Sequence, residues 1–340
     1  MLRARHQIQY LRRNNLKIIE DICQQYNLGA LQCPPLPLRG GFLHKMYSLF
    51  TEKGRYAVKL LNPYIMRRDT AMANYRRAEE LELLLENNKL PIIPALQFAG
   101  RKMQKIDGQY FYLYQFYEGK SLKGNEIEQI HCRIIGNLLA KIHQLDCRDK
   151  QQIRSEIHVD WDYYIEQLET KNQDLCQLFK ENRAILYESQ ANGNLAIKQL
   201  PKVVCICHND MDSKNVLWKG NDCRLIDLES LDYSSPYMEA YELALCWSGY
   251  EDCNIDYDLL RSFLCAYAEA GGKLLTDVET AYWSNYGRLE WLEYNVKRSL
   301  EMECAPDEME AGISQVKDTM AHVVYYHNIK DRLLSILSAI

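Results

Sequence analysis

A polar loop enclosed by two apolar runs limits what this chain can fold into more than any other feature of it. Val203-Val204-Cys205-Ile206-Cys207 leads into His208-Asn209-Asp210-Met211-Asp212-Ser213-Lys214-Asn215. Val216-Leu217-Trp218 and then Cys223-Arg224-Leu225-Ile226-Asp227-Leu228-Glu229 follow it. Short apolar runs bounded by polar turn residues read as buried strands. Cys205 and Cys207 fall inside the first run, and a buried strand accounts for them better than a metal site.

A chain of 340 residues, 47% hydrophobic and 26% charged, is long enough for two domains or one two-lobed enzyme. Such a length buries a core without disulfides or a structural metal. The twelve cysteines are scattered from Cys23 to Cys304 with no Cys-x-x-Cys pair. Without a secretory signal they read as reduced thiols, so the expected location is cytoplasmic. Arg3, Arg5, Arg12 and Arg13 are followed by Glu20 and Asp21, a helix rather than an address tag. No window reaches the roughly eighteen apolar residues of a membrane span, so no membrane partner is expected. A net charge of -5 argues against nucleic acid as a partner. From Leu225 to Thr280 twelve Asp and Glu face only Arg261 and Lys273. That imbalance suits either a cationic ligand or a solvated acidic surface.

Along the chain, Ile8, Leu11, Ile18, Ile19, Ile22 and Tyr26 predict an opening amphipathic helix stopped at Gly29. Pro34-Pro35-Leu36-Pro37 breaks it, and Gly40 and Gly41 precede a hairpin of Lys45–Thr51, the turn Glu52-Lys53-Gly54 and Tyr56–Leu61. A helix from about Thr70 to Asn87 follows, with Leu81, Leu84 and Leu85 on one face. Ile92–Ala99 and Gln109–Tyr117 are further strand candidates. Beyond Glu126 helices dominate, including Ile130–Leu145, Trp161–Phe179 and Tyr282–Leu300.

Phosphoryl transfer needs a group that orients and deprotonates an attacking hydroxyl, and hard oxygen ligands for the magnesium that neutralises phosphate charge. Asp210 suits the first task, and Asn215 and Asp227 suit the second. His208-Asn209-Asp210, Asn215 and Ile226-Asp227 together resemble the aminoglycoside phosphotransferase and choline kinase superfamily, over about Leu38 to Trp247. The resemblance implies an α+β, bilobal protein-kinase-like fold with a small sheet-rich N-lobe (1–114), a hinge (115–119) and a larger helical C-lobe (120–340). It also implies a small-molecule kinase using Mg2+ with ATP or GTP as donor, the nucleotide lying between the lobes.

Asn209 replaces the arginine of protein kinases, and Leu228-Glu229 replaces their Phe-Gly, which favours a small-molecule acceptor. Lys59 in Tyr-Ala-Val-Lys-Leu matches the strand lysine that engages nucleotide phosphates, and Gly40 and Gly41 the loop that covers them. Glu79 is the expected carboxylate partner of Lys59, with Glu80 as runner-up. Tyr114, Gln115, Phe116 and Tyr117 correspond to the hinge that binds the base, and the bulk of Tyr114 raises GTP as a donor. Glu229 has a metal, substrate or ion-pair role open to it, and Lys214 departs from the protein-kinase spacing.

Among weaker signals, His143 is expected to help packing and His208 to brace the catalytic loop. Glu242 is placed to cap or brace that loop. Trp283, Tyr286, Glu290, Trp291 and Glu293 form a substrate-site candidate for a cationic acceptor, aminoglycoside-like first and choline or an amino-sugar metabolite second. Aromatic residues at helical spacing also serve as core. The alternative to an enzyme is a kinase-like binding or structural protein of the spore-coat kind. Nothing in the sequence sets the oligomeric state.

Overall fold

A computed structural model of the chain describes residues 15–38, 44–302 and 308–340. Two units emerge from it, one of residues 1–122 with 214–232, the other of residues 123–213 with 233–340.

The first unit opens with a helix, α1 (15–25), whose Ile19 and Ile22 are buried. Five strands follow: β1 (Leu36–Leu38), β2 (Lys45–Thr51), β3 (Gly54–Leu60), β4 (Gln104–Ile106) and β5 (Gln109–Gln115). They form one antiparallel sheet in the order β1-β2-β3-β5-β4. Thr51 pairs with Gly54, so the β2–β3 loop holds only Glu52 and Lys53, and Gly54 supplies a φ of 147° that other residues rarely adopt. Between β3 and β4 lie a single turn, α2 (Pro63–Met66), and α3 (Ala71–Asn87). Tyr75, Ala78, Leu81, Glu82 and Leu85 form the buried stripe of α3, whereas Leu84 is 39% exposed and lies off it. The expected strand over 92–99 does not form. Pro94 has no N–H to give a ladder, and isolated bridges remain, Ile92 to Leu225, Ala95 to Tyr114 and Phe98 to Arg101.

In the second unit, α4 (Gln129–His143) buries Ile135, Leu138, Leu139 and Ile142. After β6 (Cys147–Asp149) come α5 (Trp161–Lys171) and α6 (Gln173–Gln199), and then β7 (Val203–Cys207). One continuous helix was expected through 161–179. Asn172 breaks it at φ -155°, ψ 94°, where its side chain accepts the Leu175 N–H and starts α6.

The chain next returns to the first unit as the hairpin β8 (Val216–Lys219) and β9 (Asp222–Leu225). Bridges Lys120 to Trp218 and Ile92 to Leu225 hold it there. The division of the chain at 114–120 is therefore incomplete, because 214–232 packs with the sheet. β10 (Asp232–Ser234) makes a three-stranded sheet with β7 and β6. The helices α7 (Pro236–Trp247), α8 (Tyr257–Glu269), α9 (Val278–Ser284), α10 (Gly287–Ser299), α11 (Met309–Asn328) and α12 (Lys330–Leu337) complete the second unit. Here too an expected helix, 282–300, is two, parted at Asn285-Tyr286.

A helical core gathers Trp161, Leu168, Phe179, Leu289, Leu292, Val316 and Met320. Trp161 is fully buried, and its indole N–H has no hydrogen-bond acceptor among the described residues. Trp161→Ala is expected to lower unfolding free energy in urea by about 3–5 kcal/mol, the scale for emptying an aromatic site. Trp161→Phe is expected to cost less, because it also removes the unpaired donor. No helix among the described residues is long and apolar enough to cross a membrane.

Candidate active site

Lys59 lies near the end of β3, opposite Tyr112 of β5, and is only 3% exposed. A buried ammonium needs paired carboxylates, and two meet it. Its Nζ lies 2.6 Å from Asp227 Oδ1 and is also ion-paired with Glu229 Oε1. Asp227 adopts φ 62°, ψ 50°, a left-handed conformation that disfavours a side chain with a Cβ. It begins the single turn Leu228–Ser230, on which α3 packs. The β8–β9 register explains how Asn215 comes near in chain terms. Val216 pairs with Leu225, and the Ile226 N–H donates to Asn215 O at 3.0 Å, so Asn215 and Asp227 flank the same end of one hairpin.

Burial pushes the Glu229 carboxyl well above the usual carboxylate range, against the pull of Lys59 and with a further push from Asp227. His44 stands on its other side, Nε2 at 3.4 Å from Glu229 Oε1 and 3.2 Å from Tyr75 Oη. The Asn62 N–H donates to His44 Nδ1 at 3.0 Å, so in the neutral ring Nε2 carries the proton. Burial, then the charge of Lys59, push His44 down to about 4. A histidine with a depressed folded pKa adds stability that is complete above its unfolded value, near 6.5, and is lost as pH falls toward 4. The stability advantage of the native chain over His44→Gln is therefore expected to shrink by about 2–3 kcal/mol between pH 7 and pH 4. Urea unfolding at the two pH values measures it, and an unchanged difference contradicts a buried neutral His44.

Glu79, the expected partner of Lys59, is committed elsewhere. Its Oε1 accepts the Met103 N–H at 2.8 Å and the Tyr112 hydroxyl at 3.0 Å. Glu80 is exposed. Tyr112, directly across from Lys59, takes the helix carboxylate, while the chain after β9 supplies the lysine's partners. Of the hinge residues, Tyr114 bridges to Ala95, and burial pushes its phenol far up. The Gln115 side chain and the Phe116 N–H both donate to Arg55 O, at 3.1 Å each. The Arg55 guanidinium covers the Phe116 ring at 3.6 Å. Tyr117 Oη donates to Asp222. Gly40 and Gly41 lie outside the described residues.

In the second unit, β7 delivers His208, Asn209 and Asp210. His208 is fully buried and Asp210 is partly exposed. Asn209 turns the chain at φ 61°. Helix α7 clamps this loop at two points. Glu239 Oε1 accepts the Asn209 N–H at 2.5 Å, and the Trp247 indole donates to Met211 O at 2.9 Å. Glu239 Oε2 accepts from His143 Nε2 at 2.7 Å, and His143 Nδ1 meets the Tyr267 hydroxyl at 2.8 Å. Burial works to raise the Glu239 carboxyl, but the bond and charge of His143 and the Asn209 N–H outweigh it and hold it low. The brace expected of Glu242 thus belongs to Glu239, one turn earlier, and His143 does more than pack. Cys207 lies beside this pair, its thiol pushed far up by burial, and its Sγ meets His143 Nε2 at 3.6 Å.

The side chains of the aromatic segment have local partners. Trp283 donates to Glu279 under Lys330, Trp291 stacks on Tyr294, and Glu293 accepts from Tyr164 and pairs with Lys297.

Asn215, Asp227 and Glu229 offer oxygen donors alone, which suits a hard ion such as magnesium and not a thiophilic one. Of solved structures, a spectinomycin phosphotransferase in complex with ADP and spectinomycin superposes with a TM-score of 0.69 at 13% identity, covering 92% of this chain and 98% of that one. A choline/ethanolamine kinase family protein from Mesorhizobium loti gives 0.57 at 12% identity, covering 92% and 95%. At such identities the likeness is one of fold, the protein-kinase-like one. Human ethanolamine kinase 1 is 26% identical over 178 residues, 47% of this chain. The match spans only 39% of the length of that relative. Residues 36–277 match the phosphotransferase enzyme family as a whole. Because that match takes in both the strand of Lys59 and the loop of Asp210, the chain belongs to the phosphotransferase enzyme family, whose members are small-molecule kinases.

Proposed function

We propose that the chain moves the γ-phosphate of ATP or GTP to a hydroxyl of a small, polar, cationic acceptor. The observation that carries this reading is the buried Lys59 ammonium held on Asp227, one hairpin end away from Asn215. Lys59 is suited to the nucleotide phosphates, and Asn215 and Asp227 to a magnesium ion, which supplies charge neutralisation of the phosphates. Asp210 accepts the proton of the attacking hydroxyl and sets its line of approach. The clamps on Asn209 and Met211 limit the motion of that carboxylate, which favours positioning. Tyr114 keeps GTP among the donors to be compared.

Turnover of ATP and of GTP with Mg2+ over a panel of aminoglycosides, amino sugars, ethanolamine and choline tests the proposal. Acceptor-dependent release of nucleoside diphosphate is the expected result. Nucleotide binding with no transfer to any acceptor favours a binding module instead.

A further inference from the structure

β6 and β7 pair antiparallel, and their register sets Cys147 directly opposite Cys205. The Ile206 N–H donates to Asp146 O at 3.3 Å and the Lys150 N–H to Lys202 O at 2.9 Å. Bonded pairs therefore fall at Asp146 with Ile206 and at Lys150 with Lys202. Because bonded and non-bonded pairs alternate along such a ladder, Cys147 and Cys205 form a non-hydrogen-bonded pair, with side chains on one face and close together. Cα atoms in pairs of this kind stand about 4.5 Å apart, inside the span of about 4.4–6.8 Å that a disulfide bridges. Both thiols are free in this structure.

The two sulfurs differ in their surroundings. Cys205 is 3% exposed, whereas Cys147 is exposed. The Cys147 S–H donates to the carbonyl of His143, the last residue of α4, at 2.9 Å. Burial, and next a hydrogen bond with Cys147, raise the Cys205 thiol far above its usual value. Register is held by the residues on either side of Cys147. Arg148 donates to Asp146 at 2.7 Å and covers the Tyr233 ring of β10 at 4.0 Å, and the Tyr233 hydroxyl donates to Asp146 at 2.6 Å. An accessible thiol beside a sheltered one suits a division of labour, in which the first meets an oxidant and the second traps the product.

We propose that Cys147 and Cys205 are a peroxide-responsive dithiol that closes reversibly into a cross-strand disulfide. Hydrogen peroxide meets the Cys147 sulfur first. An S–O bond forms, the O–O bond breaks, and water leaves with the thiol proton, giving the sulfenic acid. Cys205 then attacks that sulfur. The S–S bond forms, the S–O bond breaks, and the hydroxyl leaves with the Cys205 proton as a second water. Two thiols lose two electrons, and one peroxide gains them. The second step is intramolecular between groups that the ladder already sets opposite each other, so it outruns further oxidation of Cys147. A dithiol reductant reopens the bond by exchange at the exposed Cys147. Closure also withdraws the S–H donor from His143 O, on the residue whose ring holds Glu239 against the Asn209 N–H. None of this depends on phosphoryl transfer.

The test is treatment of the full chain with hydrogen peroxide, alkylation of the remaining thiols in denaturant, and peptide mass spectrometry without reduction. The expected result is a link from Cys147 to Cys205, lighter by two hydrogens than the separate thiol peptides, which dithiothreitol returns to alkylatable thiols. In Cys205→Ser, Cys147 is expected to pass on to the sulfinic acid, which dithiothreitol does not restore. In Cys147→Ser, the buried Cys205 is expected to stay a thiol. Cys33, exposed in the same chain, reports that the dose suffices, for it is expected to be oxidised beyond recovery in all three proteins.

Cys147 oxidised beyond recovery in the native chain, as in Cys205→Ser, overturns the proposal. So does a link from Cys147 to another cysteine or to a second copy of the chain, and so does a Cys147 thiol that survives the dose oxidising Cys33. The native chain alone gives these readings, so the decision stands even where a variant does not fold.

Discussion

Asp210→Asn is expected to lower kcat by about 10²–10⁴-fold, the contribution of a positioned general base. The substitution keeps the shape of the side chain and removes its basicity. Neither clamp on the loop involves the Asp210 side chain, since Glu239 binds the Asn209 N–H and Trp247 binds Met211 O. The loop should therefore keep its place, and nucleotide affinity, which on the proposed reading draws on Lys59, Asn215 and Asp227, should stay nearly intact. Steady-state kinetics with a fixed acceptor, alongside nucleotide titration, separates the two quantities. Activity equal to that of the native chain removes Asp210 from the role of base.

Glu239→Ala is expected to be nearly as damaging, for a different reason. Glu239 is 5% exposed and serves both the Asn209 N–H and His143. Its removal strands the buried His143 ring and the Asn209 N–H, at a cost of about 3–5 kcal/mol in unfolding free energy when a buried pair loses one partner. It also releases the residue before Asp210 from its left-handed turn. A displaced base lowers kcat by about 10²-fold where the misplacement is near 1 Å. Glu239→Gln keeps an oxygen for the Asn209 N–H. Its amide can donate to His143 once the ring exchanges tautomer and donates from Nδ1 to the Tyr267 oxygen. A milder loss is thus expected of Gln than of Ala in both denaturation and kcat. Equal losses in the two variants contradict a hydrogen-bonding brace and leave only packing.

Local pattern made the hairpin, α4 and the strand before Asp210 legible, since the turn Glu52-Lys53-Gly54 marks the hairpin and the apolar stripe of 132–142 repeats at the helical period. The breaks at Asn172 and Asn285 escaped because apolar spacing continues on both sides, and only a capping asparagine marks the first. The family motif also located Lys59 and Asp227, now seen as an ion pair between a buried ammonium and a half-buried carboxylate. Partner choice was not legible. Glu79 and Glu229 are both carboxylates that a fold brings toward Lys59, and Tyr112 and His44, from other strands and loops, decide which one meets it. Glu239 and Glu242 lie three residues apart on one helical face, so a shift of one turn separates the loop's brace from the carboxylate that the sequence pointed to. His143 and Cys207 lie 64 positions apart in sequence, and no local pattern joins them.

The central claim is that Lys59, Asn215 and Asp227 hold a metal-bound nucleotide. Calorimetric titration of ATP and GTP, with and without Mg2+, into the native chain and into Asp227→Ala tests it most directly. The expected result is binding by the native chain within about 1 μM–1 mM, the usual range for an enzyme's substrate. That binding should strengthen with Mg2+, and the strengthening should disappear in Asp227→Ala. Absence of nucleotide binding at millimolar concentration, with Mg2+ present, contradicts the account.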